Sequence, residues 1–278
     1  MPTTNESIDE HSTIRNKTWR LVTSDPGSAA WNMGVDEALM EQLNRGGNPV
    51  LRFYTWERPT VSLGYFQKPL EELDLDGLKQ IRGEWVHRPT GGRAVLHDDE
   101  LTYAVVIREE DLPGNVVETY RVLSQALVQG LCNLGVPAAM ARDTLPLTSG
   151  SAACFDAPSW YEVVAEGRKL IGSAQVRRNG VILQHGSIPI TFSVERLLNC
   201  LRFSQPRLRE RTGRILQTKA GALSDFLPQR PELGAIMQAC QQGFTQVHNI
   251  EFVTEDLKPG ECQRAKELAV SKYQHRRG

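Results

Sequence analysis

The sequence lacks an excess of charge of either sign, since 32 lysines and arginines stand against 33 aspartates and glutamates. Proteins that bind nucleic acid over a wide surface carry a basic face, and this composition provides no such field. Residues 1–17 are polar and lack the cationic stretch and apolar core of a secretory signal, and no apolar run is long enough to span a membrane. We therefore expect a cytoplasmic protein that binds neither nucleic acid nor membrane.

Cysteine is scarce as well, and no two cysteines form a CxxC pair. The five residues lie far apart: Cys132, Cys154, Cys200, Cys240 and Cys262. This spacing argues against a disulfide framework and against a zinc site. Four of the five occur in helix-like segments, where a buried structural thiol is the usual outcome. Cys154 differs because it follows a loop-like stretch of small and polar residues.

Apolar residues recur every three to four positions in several segments, and this spacing predicts helices. The first helix is expected to begin near Asp25 and Ser28 and to end at Gly46, and a second strong pattern covers residues 116–134 before Gly135. Further helical patterns cover residues 70–81, 193–201, 232–244 and 260–273.

Short runs rich in β-formers predict strands, which cover residues 50–56, 60–66, 84–88, 93–97, 101–107, 160–165, 169–177 and 181–190. We expect the three runs between residues 84 and 107 to pair as a meander, because only short turns separate them. The turns at Glu166-Gly167 and Asn179-Gly180 are typical of hairpins.

Residues 88–94 form the first segment whose residues could take part in binding or catalysis, and we refer to them as the glycine loop. Its adjacent Gly91 and Gly92 allow backbone N–H groups to approach a phosphate or carbonyl oxygen, and Arg88 and Arg93 flank them. An ordinary tight turn between strands is the alternative.

The second and third segments contain a cysteine and a lysine. Cys154 precedes a proline-stiffened stretch in which we interpret Asp156 and Glu162 as caps or surface charges. Lys169 begins a β-like run whose small residues leave room on one face. A cation near a thiol stabilises the thiolate and lowers the thiol pKa, so the two residues matter most as a pair. Taken singly, Cys154 could be a buried thiol and Lys169 a solvated charge.

Two histidines, His97 and His185, occur near the ends of predicted strands and could orient substrate or exchange protons. A structural hydrogen-bonding role is the alternative for each. Their spacing does not make a metal site.

Together, residues 88–98, 154–162 and 169–175 resemble the lipoate and biotin protein ligase superfamily, with a similarity that extends over residues 31–248 as the catalytic domain. The resemblance implies an α+β fold of largely antiparallel or mixed sheets flanked by helices. We expect a flexible tail over residues 1–17 and a small helical appendage over residues 249–278. The cysteine segment is most similar to the bacterial octanoyltransferases of that superfamily.

The resemblance also implies roles for individual residues. Cys154 would carry an octanoyl thioester, and Lys169 would lower the pKa of its thiol. The residues assigned to substrate binding are Arg88, Thr90, Gly91, Gly92, Arg93, Ala94, His97, Gly172, Ser173, Ala174 and His185. Val95, Tyr103 and Ile171 are expected to line a tunnel for the acyl chain.

The implied partners are octanoyl-acyl carrier protein as donor and a lipoyl-domain protein, such as the glycine-cleavage H protein, as acceptor. We expect a monomer that requires neither ATP nor a metal nor another cofactor. Three alternatives remain open: an ATP-dependent lipoate ligase, a transferase that takes octanoyl from the H protein to other lipoyl domains, and a non-catalytic module that binds a lipoyl domain or acyl carrier protein.

Overall fold

A computed structural model describes the fold over residues 14–112, 114–141 and 162–274. The strands within these residues are β1 (Thr18–Thr23), β2 (Val50–Tyr54), β3 (Thr60–Leu63), β4 (Glu84–His87), β5 (Val95–His97), β6 (Glu100–Arg108), β7 (Ala138–Met140), β8 (Val163–Ala165), β9 (Arg168–Arg178), β10 (Val181–Pro189) and β11 (Glu251–Thr254). The α-helices are α1 (Ala29–Arg45), α2 (Pro69–Glu72), α3 (Leu75–Gln80), α4 (Val116–Asn133), α5 (Val194–Asn199), α6 (Pro206–Lys219), α7 (Leu233–His248) and α8 (Pro259–Leu268). Among the described residues, no helix combines the length and the apolar character that crossing a bilayer requires.

The strands form two sheets, and this confirms the expected α+β fold with mixed sheets. The larger sheet has the order β11-β1-β2-β6-β10-β9-β8-β7, and the smaller has the order β4-β3-β5. In the larger sheet, β1 is parallel to β2 and β11, whereas the pairs from β2 to β7 are antiparallel. The chain passes from one sheet to the other between β5 and β6.

Helices cover both faces of the larger sheet, because successive side chains of a strand point to opposite faces. On β2, Leu51 and Phe53 pack in a cluster with α4 and α7, whereas Val50 and Tyr54 pack in a cluster with α1 and α8. A third cluster joins the smaller sheet to α5 and α6.

Local signals place the two longest helices where the sequence predicts them. The Ser28 hydroxyl accepts a hydrogen bond from the Trp31 N–H and begins α1, and Gly46 follows its last residue. Asn115 and Glu118 form a reciprocal capping box at the start of α4. Both predictions are confirmed.

The pattern over residues 70–81 corresponds to two short helices instead of one. Leu73 is extended, and the Asp74 carboxylate accepts hydrogen bonds from the N–H groups of Asp76 and Gly77, which starts α3 anew. Helix α6 was not predicted, because the mainly polar face of residues 206–219 weakens its apolar periodicity.

The predicted meander is wrong, although each of its three strands exists. Strands β4 and β5 both pair with β3, on opposite sides, and β6 belongs to the larger sheet. The glycine loop therefore crosses over β3 instead of making a hairpin. It passes close to Gly64, since a Cβ on Gly64 would lie only 2.0 Å from the Gly92 carbonyl oxygen.

The C-terminal segment contains the predicted helix but also a strand that the sequence did not indicate. Strand β11 pairs in parallel with β1, and α8 packs closely on α1, since a Cβ on Gly34 would lie 2.6 Å from the Ala265 carbonyl oxygen. Buried Arg20 of β1 pairs with Glu261 of α8, with Nη1 and Oε1 2.6 Å apart. Residues 250–273 are thus built into the main sheet and its helix layer.

The prediction of structural thiols holds for Cys200 and Cys240, which are buried. Burial raises the pKa of the Cys200 thiol to about 11 and that of the Cys240 thiol to about 12. The prediction is wrong for Cys132, which is exposed because it follows Leu131, the last residue of the buried stripe of α4. Cys262 is half-buried, and Cys154 lies outside the described residues.

Candidate active site

A narrow cavity of about 30 Å³ lies at the junction of the two sheets. The residues that line it come from α1, both sheets and the glycine loop: Met33, Tyr54, Trp56, Ser62, Arg88, Val95, His97, Thr102, Gly172, Ser173, Ala174, His185, Gly186 and Ser187. A second, larger cleft of about 380 Å³ shares Val95, Gly172 and Ser187 with it and is also lined by Phe192. Pockets of this kind, apolar with a few convergent polar groups, are typical binding sites for small molecules.

The glycine loop is held in place by the Arg88 side chain. Its guanidinium donates hydrogen bonds to the carbonyl oxygens of Gly91, Arg93 and Ser62, at 2.7 to 3.1 Å. Gly92 has a φ of +97°, a conformation that favours glycine, whereas a Cβ on Gly91 would meet nothing within 4 Å. Arg88 therefore shapes the wall of the cavity by fixing this loop.

A buried chain of hydrogen bonds connects α1 to the glycine loop through His185. Asp36 Oδ1 lies 2.7 Å from Arg52 Nη1, and Asp36 Oδ2 lies 3.0 Å from His185 Nδ1. His185 Nε2 is 2.8 Å from the Thr90 hydroxyl. Tyr54 completes the set by donating its hydroxyl hydrogen to Asp36.

The charges in this chain are set by burial and by Arg52. Burial lowers the pKa of His185, and the hydrogen bond to Asp36 offsets only part of that effect. For Asp36, burial alone would raise the pKa, but His185 and Arg52 together outweigh it, and the pKa is lowered. At neutral pH this chain of hydrogen bonds therefore contains an ionised Asp36 and a neutral His185.

His97, which also lines the cavity, forms a second buried group of hydrogen bonds. Its Nδ1 lies 2.8 Å from Glu100 Oε1, and its Nε2 lies 2.8 Å from the Ser62 hydroxyl. The ring of Trp56 stacks on the imidazole, with centroids 4.3 Å apart. Glu100 also accepts hydrogen bonds from Thr102 and Ser187.

A bulge in β9 lies at Lys169, next to Gly172 of the cavity wall. Val163 pairs with Ile171 and Val164 with Lys169, so one extra residue, Leu170, interrupts the alternation. Such a bulge redirects the neighbouring side chains. As a result, Lys169 Cε lies 3.7 Å from the position that a Cβ of Gly172 would take.

The Lys169 ammonium lies 2.5 Å from Glu162 Oε1, and both side chains are largely buried. The interpretation of Glu162 as a surface charge is therefore wrong, since the residue is a partner of Lys169. Asp156 lies outside the described residues.

The structure brings most of the predicted binding residues together, but not all. Six of them line the cavity (Arg88, His97, Gly172, Ser173, Ala174 and His185), and Thr90 contacts it through His185. Ala94 instead packs in the core of the smaller sheet, and Arg93 points toward Glu72, 4.0 Å away. Of the expected tunnel residues, Val95 lines the cavity, whereas Tyr103 and Ile171 belong to the core.

The carboxylates and the arginine that hold the two histidines were not predicted from the sequence. A signal existed for two of them, because Asp36 interrupts the apolar stripe of α1 and Arg52 interrupts the apolar strand β2. A charge in such a position is buried only when it is paired. Within the described part of the chain, no three His, Cys, Asp or Glu side chains come together as metal ligands.

Comparison with known proteins identifies relatives over almost the whole chain. Residues 28–245 match the family described as lipoyl protein ligase A/B catalytic domain. The chain is 44% identical over 263 residues to octanoyltransferase LipM of Carboxydothermus hydrogenoformans, covering 94% of this chain and 97% of that protein. It is 40% identical over 272 residues to octanoyltransferase LipM of Bacillus subtilis, again covering 94% and 97%.

Solved structures give the same picture of the fold. A bipartite lipoate protein ligase from Thermoplasma acidophilum, studied with its E2 lipoyl domain, has a TM-score of 0.78 and 25% identity, covering 92% of this chain and 93% of that chain. A lipoate-protein ligase A bound with ATP has a TM-score of 0.74 and 26% identity, covering 92% and 95%.

Proposed function

The chain belongs to the lipoyl protein ligase A/B catalytic-domain family and is an acyltransferase of the LipM type, and we propose that it moves an octanoyl group from acyl carrier protein to a lipoyl-domain lysine. The observation that carries the proposal is the position of Lys169 against Gly172, at the wall of an apolar cavity. The segment with the only loop-like cysteine pattern, around Cys154, directly precedes the strand that pairs with this lysine.

The first step is the transfer of octanoyl to Cys154. The Cys154 thiolate attacks the thioester carbonyl of octanoyl-phosphopantetheine, a new C–S bond forms, and the old C–S bond breaks with release of the phosphopantetheine thiolate. Both the starting compound and the product are thioesters, so the step is close to neutral in free energy. Met33, Trp56 and Val95 supply apolar surface for the octanoyl chain.

Lys169 is the residue that we assign to thiolate stabilisation. An ammonium has three N–H donors, so its contact with Glu162 is compatible with a contact to a second acceptor. An opposite charge within a few ångströms favours the thiolate and lowers the thiol pKa.

The second step is attack of the acceptor lysine on octanoyl-Cys154. The product is an amide, which is more stable than a thioester, so the second step makes the overall reaction favourable. A lipoyl domain such as that of the glycine-cleavage H protein is the proposed acceptor, and the Thermoplasma neighbour, studied with a lipoyl domain, supports this class of partner. The two steps use neither ATP nor a metal, and we propose that the chain works as a monomer.

The test is acyl capture from the donor alone, without ATP. Wild-type protein incubated with octanoyl-acyl carrier protein should gain one octanoyl mass on the peptide that contains Cys154, and Cys154→Ser should gain none and lose transfer. Cys132→Ser is the matched control, because Cys132 is exposed and lies on α4. A fully active Cys154→Ser variant would contradict the covalent mechanism.

A second candidate is an ATP-dependent lipoate ligase, favoured by the similarity to lipoate-protein ligase A bound with ATP. Transfer from free octanoate that requires ATP would support it. Capture from octanoyl-H protein in preference to octanoyl-acyl carrier protein would instead support transfer between lipoyl domains.

A further inference from the structure

Two hydrogen-bond chains of the same design line the cavity. In each, a carboxylate contacts imidazole Nδ1 and a hydroxyl contacts imidazole Nε2. The first consists of Glu100, His97 and Ser62, and we call it the His97 chain. The second is the chain through His185 described above.

The direction of the hydrogen bonds in the His97 chain follows from a group that can only donate. Arg88 Nη1 donates to the Ser62 hydroxyl oxygen at 3.1 Å, so the Ser62 hydrogen is available to His97 Nε2. His97 then carries its own hydrogen on Nδ1 and donates it to Glu100.

A second donor leads to the same carboxylate. The Trp56 indole N–H donates to the Thr102 hydroxyl oxygen at 2.8 Å, and the Thr102 hydrogen is therefore directed at Glu100 Oε1, 2.5 Å away. Ser187 donates to Glu100 Oε2. Glu100 thus accepts hydrogen bonds from three donors, His97, Thr102 and Ser187, on its two oxygens, as an ionised carboxylate does.

The two hydrogen-bond chains differ in whether an arginine balances the negative charge of the carboxylate. Asp36 is paired with Arg52 inside the protein, so a proton arriving on His185 would meet a carboxylate whose charge is already compensated. Glu100 has His97 as its ion-pair partner within the described part of the chain, and its remaining contacts are hydroxyls. A proton on His97 would therefore lie beside a buried carboxylate that has no arginine or lysine partner among the described residues.

We infer that His97, supported by Glu100, accepts the proton released when the acceptor amine attacks the acyl group, with Ser62 as the connecting hydroxyl. The inference rests on the proposed function. The neutral amine forms the C–N bond, and the C–S bond breaks with its electron pair on sulfur. The extra proton on the new amide nitrogen passes to Ser62 Oγ while the Ser62 proton moves to His97 Nε2. The imidazolium later releases this proton to solvent. His185, by contrast, positions Thr90 and the glycine loop.

The experiment separates capture from transfer. Octanoyl-enzyme is prepared with octanoyl-acyl carrier protein, purified, and mixed with a lipoyl-domain acceptor in single-turnover measurements across pH 5 to 9. His97→Gln should capture octanoyl at the wild-type rate but transfer it about 100-fold more slowly, a loss typical of removing a general base. Ser62→Ala should show the same division between the steps.

Glu100→Gln gives a readout that a purely structural role would not move. Without the carboxylate the imidazole Nδ1 loses its charged acceptor, so transfer should slow while capture keeps the wild-type rate, and Glu100→Asp should restore part of the transfer rate. Among the described residues, Arg88, His185 and Tyr54 also interact with members of the His97 chain, and the variant leaves these three unchanged.

Controls distinguish the inference from damage to the fold and from failure of the proposed function. His248→Gln removes another buried histidine, bonded to the Val122 carbonyl, and should leave both steps at the wild-type rate. Hydroxylamine, which is neutral at pH 7, should release octanoyl equally from wild type and His97→Gln.

Several outcomes would overturn the inference. These are lysine transfer at the wild-type rate in His97→Gln, an equal loss of both steps, or slower hydroxylamine release from that variant. Absence of any octanoyl-enzyme from the wild-type protein would instead remove the proposed thioester mechanism, and with it the step assigned to His97.

Discussion

The Lys169 ammonium lies 2.5 Å from the Glu162 carboxylate, so a nearby thiol experiences a positive and a negative charge together. The sequence indicated only the lysine. Glu162 was missed because its partner depends on how β8 pairs with β9, including the bulge at Leu170. The pairing gives each of the two residues a distinct expected effect on Cys154.

At the residue scale we predict opposite shifts from the two partners. Lys169→Ala should move the midpoint of Cys154 alkylation by iodoacetamide to higher pH, because the thiolate loses a stabilising cation. Glu162→Gln should move it to lower pH, because the ammonium is no longer offset by a carboxylate. Lys79→Ala, at an exposed site on α3, is the control and should leave the midpoint unchanged. Identical profiles in all four proteins would remove the role assigned to Lys169.

The two histidines, His97 and His185, differ in the partners of their carboxylates. Their capacity to exchange protons was evident from the sequence, but their difference was not. That difference arises because Arg52 approaches Asp36 and not Glu100, and these contacts join residues 16 to 149 positions apart. No local pattern contains that information.

At the element scale, the hairpins that build the cavity wall are encoded in their turns. Asn179 and Gly180 have φ values of +51° and +74°, and Glu166 and Gly167 have +49° and +77°. Turns with positive φ at both central residues match the twist of the flanking strands. This is why the β8-β9-β10 arrangement could be predicted, whereas the pairing of β4 and β5 with β3 could not.

The turn between β9 and β10 leads to a prediction about stability. Gly180→Ala should destabilise the protein by about 1 kcal/mol, because alanine in the left-handed region is strained. Gly234→Ala is the matched control, since Gly234 lies in α7, has open space around it, and should gain about 0.5 kcal/mol. Urea unfolding of the two variants measures both values. Equal effects of the two substitutions would contradict the assigned turn.

At the scale of the whole molecule, the C-terminal residues complete the larger sheet. Ile250 is fully buried, β11 extends the sheet beyond β1, and Glu261 balances the buried Arg20. A catalytic domain that ended near residue 248 would leave an arginine buried without its closest partner.

We therefore predict that a protein truncated after Asn249 loses at least about 3 kcal/mol of stability, the lower range for breaking a buried ion pair. The measurement is the urea midpoint of the truncated protein or, if it is insoluble, of Glu261→Ala in the full chain. Lys266→Ala, at an exposed site on α8, is the control and should have little effect. A full-length midpoint in the truncated protein would show that the segment is an independent appendage.

The resemblance to a known superfamily indicated the α+β class, and the sequence by itself determined the helices with clear caps, the hairpins with left-handed turns and the chemistry available at Lys169, His97 and His185. These features depend on residues close together in the chain, whose preferences are fixed by backbone sterics and local hydrogen bonds. The tertiary structure alone decided that β3 lies between β4 and β5, that β11 joins β1, and that Glu100 and Asp36 support different histidines. Such contacts depend on burial, which gives buried charges their partners only when distant segments pack together.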